Sequence, residues 1–176
     1  MSRLLTLGIV LAGGKSRRMG QDKALLDIKG RSFVSNALNL LKRSNVDTVL
    51  LSGRGDDTFQ YVLDEESYLG PASAMFNIMN TPQFSQFDRF VFVPVDMPLL
   101  TVDILNNLCT ESRSCFYADH YLPCMLNRKD VQGTLHSKSV KGLLQQSSAV
   151  SLPINSNQLD CFENVNTPME YDKVVI

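Results

Sequence analysis

Residues 4–11, LLTLGIVL, form an almost continuous apolar run that stops one residue short of Gly13 and Gly14. An apolar stretch of this length without polar alternation predicts a strand buried on both faces, as in a parallel sheet. It is too short to cross a membrane, and no signal-peptide cleavage pattern follows it. The strand must hand its carboxyl end to a glycine turn, and the rest of the chain has to be arranged around that turn.

The segments that follow alternate in period. From residue 32 to 42, Phe33, Val34, Ala37, Leu38 and Leu41 recur at helical spacing. Residues 48–51, TVLL, read as a short strand, and residues 61–63 as another. Pro71 stands where a helix would begin, with Ala72, Met75, Phe76 and Met79 on one face. Residues 89–95, RFVFVPV, have the Val and Phe content of a central strand, although Pro94 should end or bulge the ladder. Thr101 is placed to cap a helix through Leu108, with Asp103 at its positive end. Weaker patterns predict strands over 115–118, 121–126 and 150–154 and a helix over 140–146. Strands alternating with helices predict a three-layer α/β sandwich with a mostly parallel, Rossmann-like sheet. Ligands of such sheets bind beyond the carboxyl ends of the strands. The loop at Gly13, the acid at Asp96 and the Ser52–Gly53–Arg54 turn all fall there.

The 176 residues suit one domain. A formal net charge of −1 gives no bulk attraction to nucleic acid or to an anionic membrane. The four cysteines include no C-x-x-C pair and only two histidines accompany them, so zinc spacing is absent. Scattered thiols without a leader point to a cytoplasmic protein. The cysteines and both histidines, His120 and His136, read as structural or surface residues.

The most informative string is residues 11–26, LAGGKSRRMGQDKALL. Gly13 and Gly14 allow close backbone approach, and consecutive amides in such a turn can form an anion nest. Lys15, Arg17, Arg18 and Lys23 set four cations against the one acid Asp22, a balance suited to a polyphosphate. A P-loop would need a glycine where Ile9 stands, and the G-x-G-x-x-G spacing of dinucleotide folds does not occur. A glycine pair with nearby lysines also describes a tight surface turn with solvated charges.

Further on, VPVDMPLL places Asp96 at a strand end before Pro98, where a carboxylate could hold Mg²⁺ or simply close a turn. Asp64 lies in the acidic run Asp64–Glu65–Glu66. It could accept from both N1–H and N2–H₂ of guanine, or be an exposed acid. Asn164 and Asn166 in NVNTP alternate about Val165 and would share a face if the segment is extended. Thr167 before Pro168 also reads as a helix start.

Taken together, LAGGKSRRMGQDKALL, VDMP, GPASA over 70–74 and NVNTP resemble the motifs of the molybdenum cofactor guanylyltransferases, within the wider MobA-like nucleotidyltransferases. The resemblance runs along nearly the whole chain and thins after residue 110. It implies a nucleotidyltransferase sheet, with a nucleotide-binding half over 1–100 and an acceptor-binding half over 101–176. It implies GMP transfer from GTP to the terminal phosphate of molybdopterin, with Mg²⁺ and release of pyrophosphate. Leu11, Ala12, Gly13, Gly14, Ser52 and Asp64 would then bind nucleotide. Lys23 and Arg17 would serve the phosphates and Asp96 the metal, while Asn164 and Asn166 would bind the acceptor or complete the metal environment. Protein partners would be molybdoenzymes or other cofactor-biosynthesis proteins. Ser52 replaces a frequent asparagine, Ala74 a frequent glycine, and Leu122–Pro123 a His-Pro pair, with His120 nearby. These departures leave open a CTP-dependent enzyme, one acting on another small phosphorylated acceptor, or a non-catalytic nucleotide-binding module.

Overall fold

The computed structural model describes residues 3–13, 22–55, 58, 60–63 and 70–175. The apolar run forms β1 (Thr6–Leu11), hydrogen-bonded in parallel on both sides. After a single 3₁₀ turn at Lys23–Leu25 come the short strands β2 (Asp27–Ile28) and β3 (Arg31–Ser32). They form a hairpin through Lys29 and Gly30, both at positive φ, as a two-residue loop of the tightest kind requires. Ser32 then caps α1 (Phe33–Lys42), its hydroxyl accepting from the Ser35 N–H at 3.3 Å.

β4 (Thr48–Ser52) and β5 (Tyr61–Val62) lead to α2 (Pro71–Asn80), with proline at the first helical position. β6 (Arg89–Pro94) precedes α3 (Val102–Thr110), which Thr101 caps by accepting from the Ile104 N–H at 3.5 Å. β7 (Cys115–Tyr117) and β8 (His120–Asn127) make a hairpin. α4 (Val140–Gln146), β9 (Val150–Leu152), a 3₁₀ stretch at Ser156–Phe162 and α5 (Pro168–Val175) complete the chain.

The main sheet has the order β5-β4-β1-β6-β8-β7-β9 and is parallel apart from β8, which runs against both neighbours. The mostly parallel α/β fold agrees with the sequence reading. Side chains of β1 alternate between two cores, as a strand covered on both faces must. Val10 joins Val91, Val93 and Leu51 under α1 and α3. Leu7 and Ile9 join Phe90, Phe92 and Leu50 under α2 and α4. Phe90 and Phe92 stack with ring centroids 6.3 Å apart. Burying a side chain of this size contributes roughly 1.5–3 kcal/mol. The three layers follow from that alternation.

Pro94 proves compatible with a central strand. β8 pairs with β6 only as far as Phe92↔Cys124, so the missing Pro94 N–H falls beyond the end of that ladder. On the other side the Val95 N–H still donates to the Leu11 carbonyl at 3.2 Å. The strand expected over 150–154 is shorter, because Pro153 cannot continue it.

Arg128 ties two edges of the second core together. Its Nε donates to the Phe87 carbonyl at 2.9 Å and its guanidinium also donates to the carbonyls of Phe84 and Met79. It lies over the Phe90 ring, 4.9 Å from the centroid. Met79 is near the end of α2, so Arg128 satisfies a carbonyl the helix cannot. Burial holds the Arg128 pKa below its ordinary value.

A third, smaller core joins Leu26, Ile28 and Phe33 to Val165 and Val174, with Val95 and Leu99 at its margin. It packs α5 and the segment before it against the hairpin and the end of β6.

Candidate active site

A cleft of about 690 Å³ opens at the carboxyl ends of β1 and β6. One wall is Leu11, Ala12 and Gly13, which leave β1 as the sequence requires. The Ala12 N–H donates to the Ser52 carbonyl at 2.9 Å, so the end of β4 braces the loop. Gly53, at φ +90°, lies directly against it: a Cβ there would sit 2.5 Å from Gly13 Cα and N. Only glycine fits that contact and that φ. Ser52 itself is 2% exposed and does not line the cleft. Its carbonyl lies under Ala12. Gly14, Lys15, Arg17, Arg18 and Asp64 lie outside the described residues.

The floor is built from three distant parts of the chain. Lys23 Nζ is 3.1 Å from Asp96 Oδ2 and donates to Asn166 Oδ1 at 2.6 Å. The Lys23 and Asp96 side chains are 16% and 23% exposed, so the pair is shielded enough for its charges to matter. Asp22 sets Lys23 by capping its turn, with Oδ1 accepting from the Ala24 N–H at 3.0 Å. The other Asp22 oxygen accepts from Arg54 at 2.9 Å, which links the turn to the end of β4.

Asn164 and Asn166 both line the cleft, whereas Val165 between them is 1% exposed. The segment is in no sheet, yet it keeps a strand's alternation. The Val165 N–H donates to the Asp96 carbonyl at 2.8 Å, which lays this segment beside the end of β6. Lys23, Asp96, Asn164 and Asn166 thus line one cleft, although Lys23, Asp96 and the asparagine pair are far apart in the sequence.

The far wall is Asp119, His120, Tyr121 and Leu122, with Pro71 and Val140. His120, read from sequence as a surface or structural residue, is partly buried. It lines the cleft, with its ring 4.9 Å from that of Phe162, which in turn meets Tyr117 edge-on at 5.0 Å. Asp22, Arg54 and His120 were not singled out from sequence as site residues. Asp22 stands beside Lys23 in the loop string, but nothing local reveals Arg54 as its partner.

Cysteine chemistry has no place here. Burial pushes the Cys115 thiol up to about 12 and Cys109 up to about 11, and raises Cys124 as well. No cysteine lines the cleft among the described residues. Nor does any group of three or more His, Cys, Asp or Glu among them form a metal cluster. A cation at Asp96 would therefore need oxygens from a substrate to complete its shell. No helix among the described residues is long and apolar enough to cross a membrane.

Residues 8–146 match the profile of the MobA-like NTP transferase domain. A molybdenum cofactor guanylyltransferase of Xanthomonas euvesicatoria pv. vesicatoria (strain 85-10) is 31% identical over 96% of this chain and 93% of its own length. One from Rhodobacter capsulatus is 28% identical over 92% and 90%. Among solved structures, molybdopterin-guanine dinucleotide biosynthesis protein A from Archaeoglobus fulgidus has the same fold, with a TM-score of 0.72, 16% identity and 96% coverage of each chain.

Proposed function

The chain belongs to the MobA-like NTP transferase domain family and, within it, to the molybdenum cofactor guanylyltransferases, and we propose that it carries out their reaction through the floor formed by Lys23, Asp96 and Asn166. It is a nucleotidyltransferase that moves GMP from GTP to the terminal phosphate of molybdopterin. An oxygen of that phosphate attacks the α-phosphorus in line. The new phosphoanhydride bond forms as the bond to pyrophosphate breaks, giving a guanine dinucleotide and pyrophosphate. No side-chain nucleophile takes part, so the protein's work is positioning and charge stabilisation.

The observation that carries this reading is the Lys23 ammonium held between Asp96 Oδ2 and Asn166 Oδ1 beside the glycine loop. These two hard oxygens already converge on one cation, which is the donor chemistry Mg²⁺ prefers when substrate phosphates supply the rest. Asp96 and Asn166 would hold Mg²⁺, which neutralises charge on the phosphates when bound. Lys23 carries a fixed charge for the triphosphate, with Arg17 as a second cation from the loop. Leu11, Ala12 and Gly13 line the nucleotide subsite, and the Ser52 carbonyl supports them from behind through the Ala12 N–H. Asp64 reads guanine, and Asn164 serves the acceptor. The same cleft admits a pterin-sized group along the His120–Leu122 wall. We place the reaction in the cytoplasm, with delivery of the product to a molybdoenzyme.

The test is pyrophosphate release with molybdopterin and either GTP or CTP, beside calorimetric titration of both nucleotides with Mg²⁺. GTP should support turnover and bind more tightly, and Asp64→Ala should lose most of that preference. Since an unmatched polar group costs about 1–3 kcal/mol, the preference should be about ten- to hundredfold. A wild-type preference for CTP would overturn the guanine assignment and keep nucleotidyl transfer. Tight binding without turnover would leave a nucleotide-binding module.

A further inference from the structure

Glu170 accepts one more hydrogen bond than a helix cap requires. In a capping box the first residue's hydroxyl accepts from the N–H three positions on, and the acid there reaches back to the cap's own N–H. Both bonds are present. The Glu170 N–H donates to Thr167 Oγ1 at 3.3 Å, and the Thr167 N–H to Glu170 Oε2 at 2.9 Å. The same oxygen accepts a third bond, from the Asn166 N–H, and at 2.7 Å it is the shortest of the set.

Asn166 is the residue whose Oδ1 receives Lys23. Its backbone is held from two directions. On one side the preceding N–H, that of Val165, is bonded to the Asp96 carbonyl, with the Val165 side chain sealed in the third core. On the other side stands the Glu170 carboxylate. The Asn166 N–H is the main reason the Glu170 carboxyl lies below the usual carboxylate range. The next residue of α5 reaches the other half of the site. Tyr171 donates its hydroxyl to the Asp27 carbonyl at 2.5 Å, just past the turn that carries Lys23.

We infer that Glu170 is a positioning residue for nucleotidyl transfer, aiming Asn166 Oδ1 at the cation position it shares with Asp96 by fixing the Asn166 backbone. This rests on the reading of the site given above. Mg²⁺ demands near-ideal geometry, so a ligand free to swing loses much of its value. Groups that orient ligands from behind are typically worth about ten- to hundredfold in metal affinity or activity.

The experiment compares Glu170→Ala, Glu170→Gln, Glu170→Asp and Thr167→Ala with wild type. It records kcat, thermal stability, and GTP affinity by calorimetry with Mg²⁺ and again with EDTA. Glu170→Ala should lower kcat about ten- to hundredfold and shrink the Mg²⁺-dependent gain in GTP affinity by a similar factor. Affinity in EDTA should stay at the wild-type value. Glu170→Gln keeps an acceptor oxygen and should recover most of both losses. Thr167→Ala removes a cap bond from the same helix, so it should lower stability while keeping kcat and the Mg²⁺-dependent gain. Equal losses in Glu170→Ala and Thr167→Ala would reduce Glu170 to a helix cap and overturn the inference, as would an unchanged gain in Glu170→Ala. If circular dichroism shows Glu170→Ala unfolded, Glu170→Asp decides: it withdraws the oxygen from Asn166, and a wild-type gain there overturns the inference. A wild-type protein without GTP-dependent turnover would sink the nucleotidyl-transfer reading itself. An active wild type with an indifferent Glu170→Ala sinks only the role of Glu170.

Discussion

Lys23 and Asp96 face one another across 3.1 Å in a partly buried floor, and in the proposed reaction each would exchange the other for substrate or metal. A triphosphate that draws the Lys23 ammonium away leaves Asp96 facing a polyanion. A divalent cation that takes Asp96 leaves Lys23 without its carboxylate. Both exchanges together leave no charge uncompensated, so nucleotide and metal should bind cooperatively.

Asp96→Asn should therefore have two effects of opposite sign. Turnover at saturating Mg²⁺ should fall by about a hundredfold or more, since a group stabilising transition-state charge is lost. GTP affinity in EDTA should rise, because a negative charge beside the triphosphate has gone. Kinetics and calorimetry read the two separately. Near-normal turnover would remove Asp96 from the mechanism.

Lys23→Ala should weaken GTP binding or turnover far more than Lys42→Ala, which is exposed in the last turn of α1. Circular dichroism must accompany both variants, since Lys23 also helps hold the site together. Small and equal effects on two folded variants would mean that Lys23 does not meet the phosphates.

Gly53→Ala adds a Cβ 2.5 Å from Gly13 at φ +90°, whereas Gly30→Ala meets nothing within 4 Å at φ +81°. Both should lose about 1–2 kcal/mol in urea unfolding from the left-handed backbone. Only Gly53→Ala should lose a further ~1–3 kcal/mol from the clash and also weaken GTP binding. Equal stabilities with intact GTP affinity would show that the loop does not need the support of β4.

Arg128→Met should remove the guanidinium donor from the carbonyls of Met79, Phe84 and Phe87, of which Phe84 still accepts from the Phe87 N–H. We expect a loss of about 3 kcal/mol by chemical denaturation. Arg128 does not line the cleft, so kcat at room temperature should be unchanged. A stability equal to wild type would show that water replaces the guanidinium at no cost.

What the sequence discloses divides along physical lines. β1, β6 and the helices after Ser32, Gly70 and Thr101 were legible because hydrophobic period and caps are local properties. The β2–β3 hairpin was not, since two-residue strands carry no period. Lys23, Asp96 and Asn166 were recognisable through motif resemblance, but their meeting was beyond local reading. Lys23 reaches across 73 positions to Asp96 and 143 to Asn166. That Ser52 is buried with its carbonyl under Ala12 is not legible either, because a strand buried on both faces does not reveal which way a given side chain points. The capping box at Thr167 and Glu170 is visible as T-x-x-E, but the third bond to Asn166 appears only in three dimensions.

That separation along the chain bears on how the protein comes into being. β9, the last strand laid down, ends at Leu152, and Asn166 follows it. A nascent chain halted between them already contains every segment of the seven-stranded sheet, the glycine turn and Asp96. It still lacks the partner that completes the Lys23 contact and the helix that steadies it. Such a product also lacks the core side chains of Val165 and Val174, so it should be less stable than the full chain and fail as an enzyme. The sheet and the polar floor are thus drawn from different parts of the chain, and the floor depends on residues that follow β9.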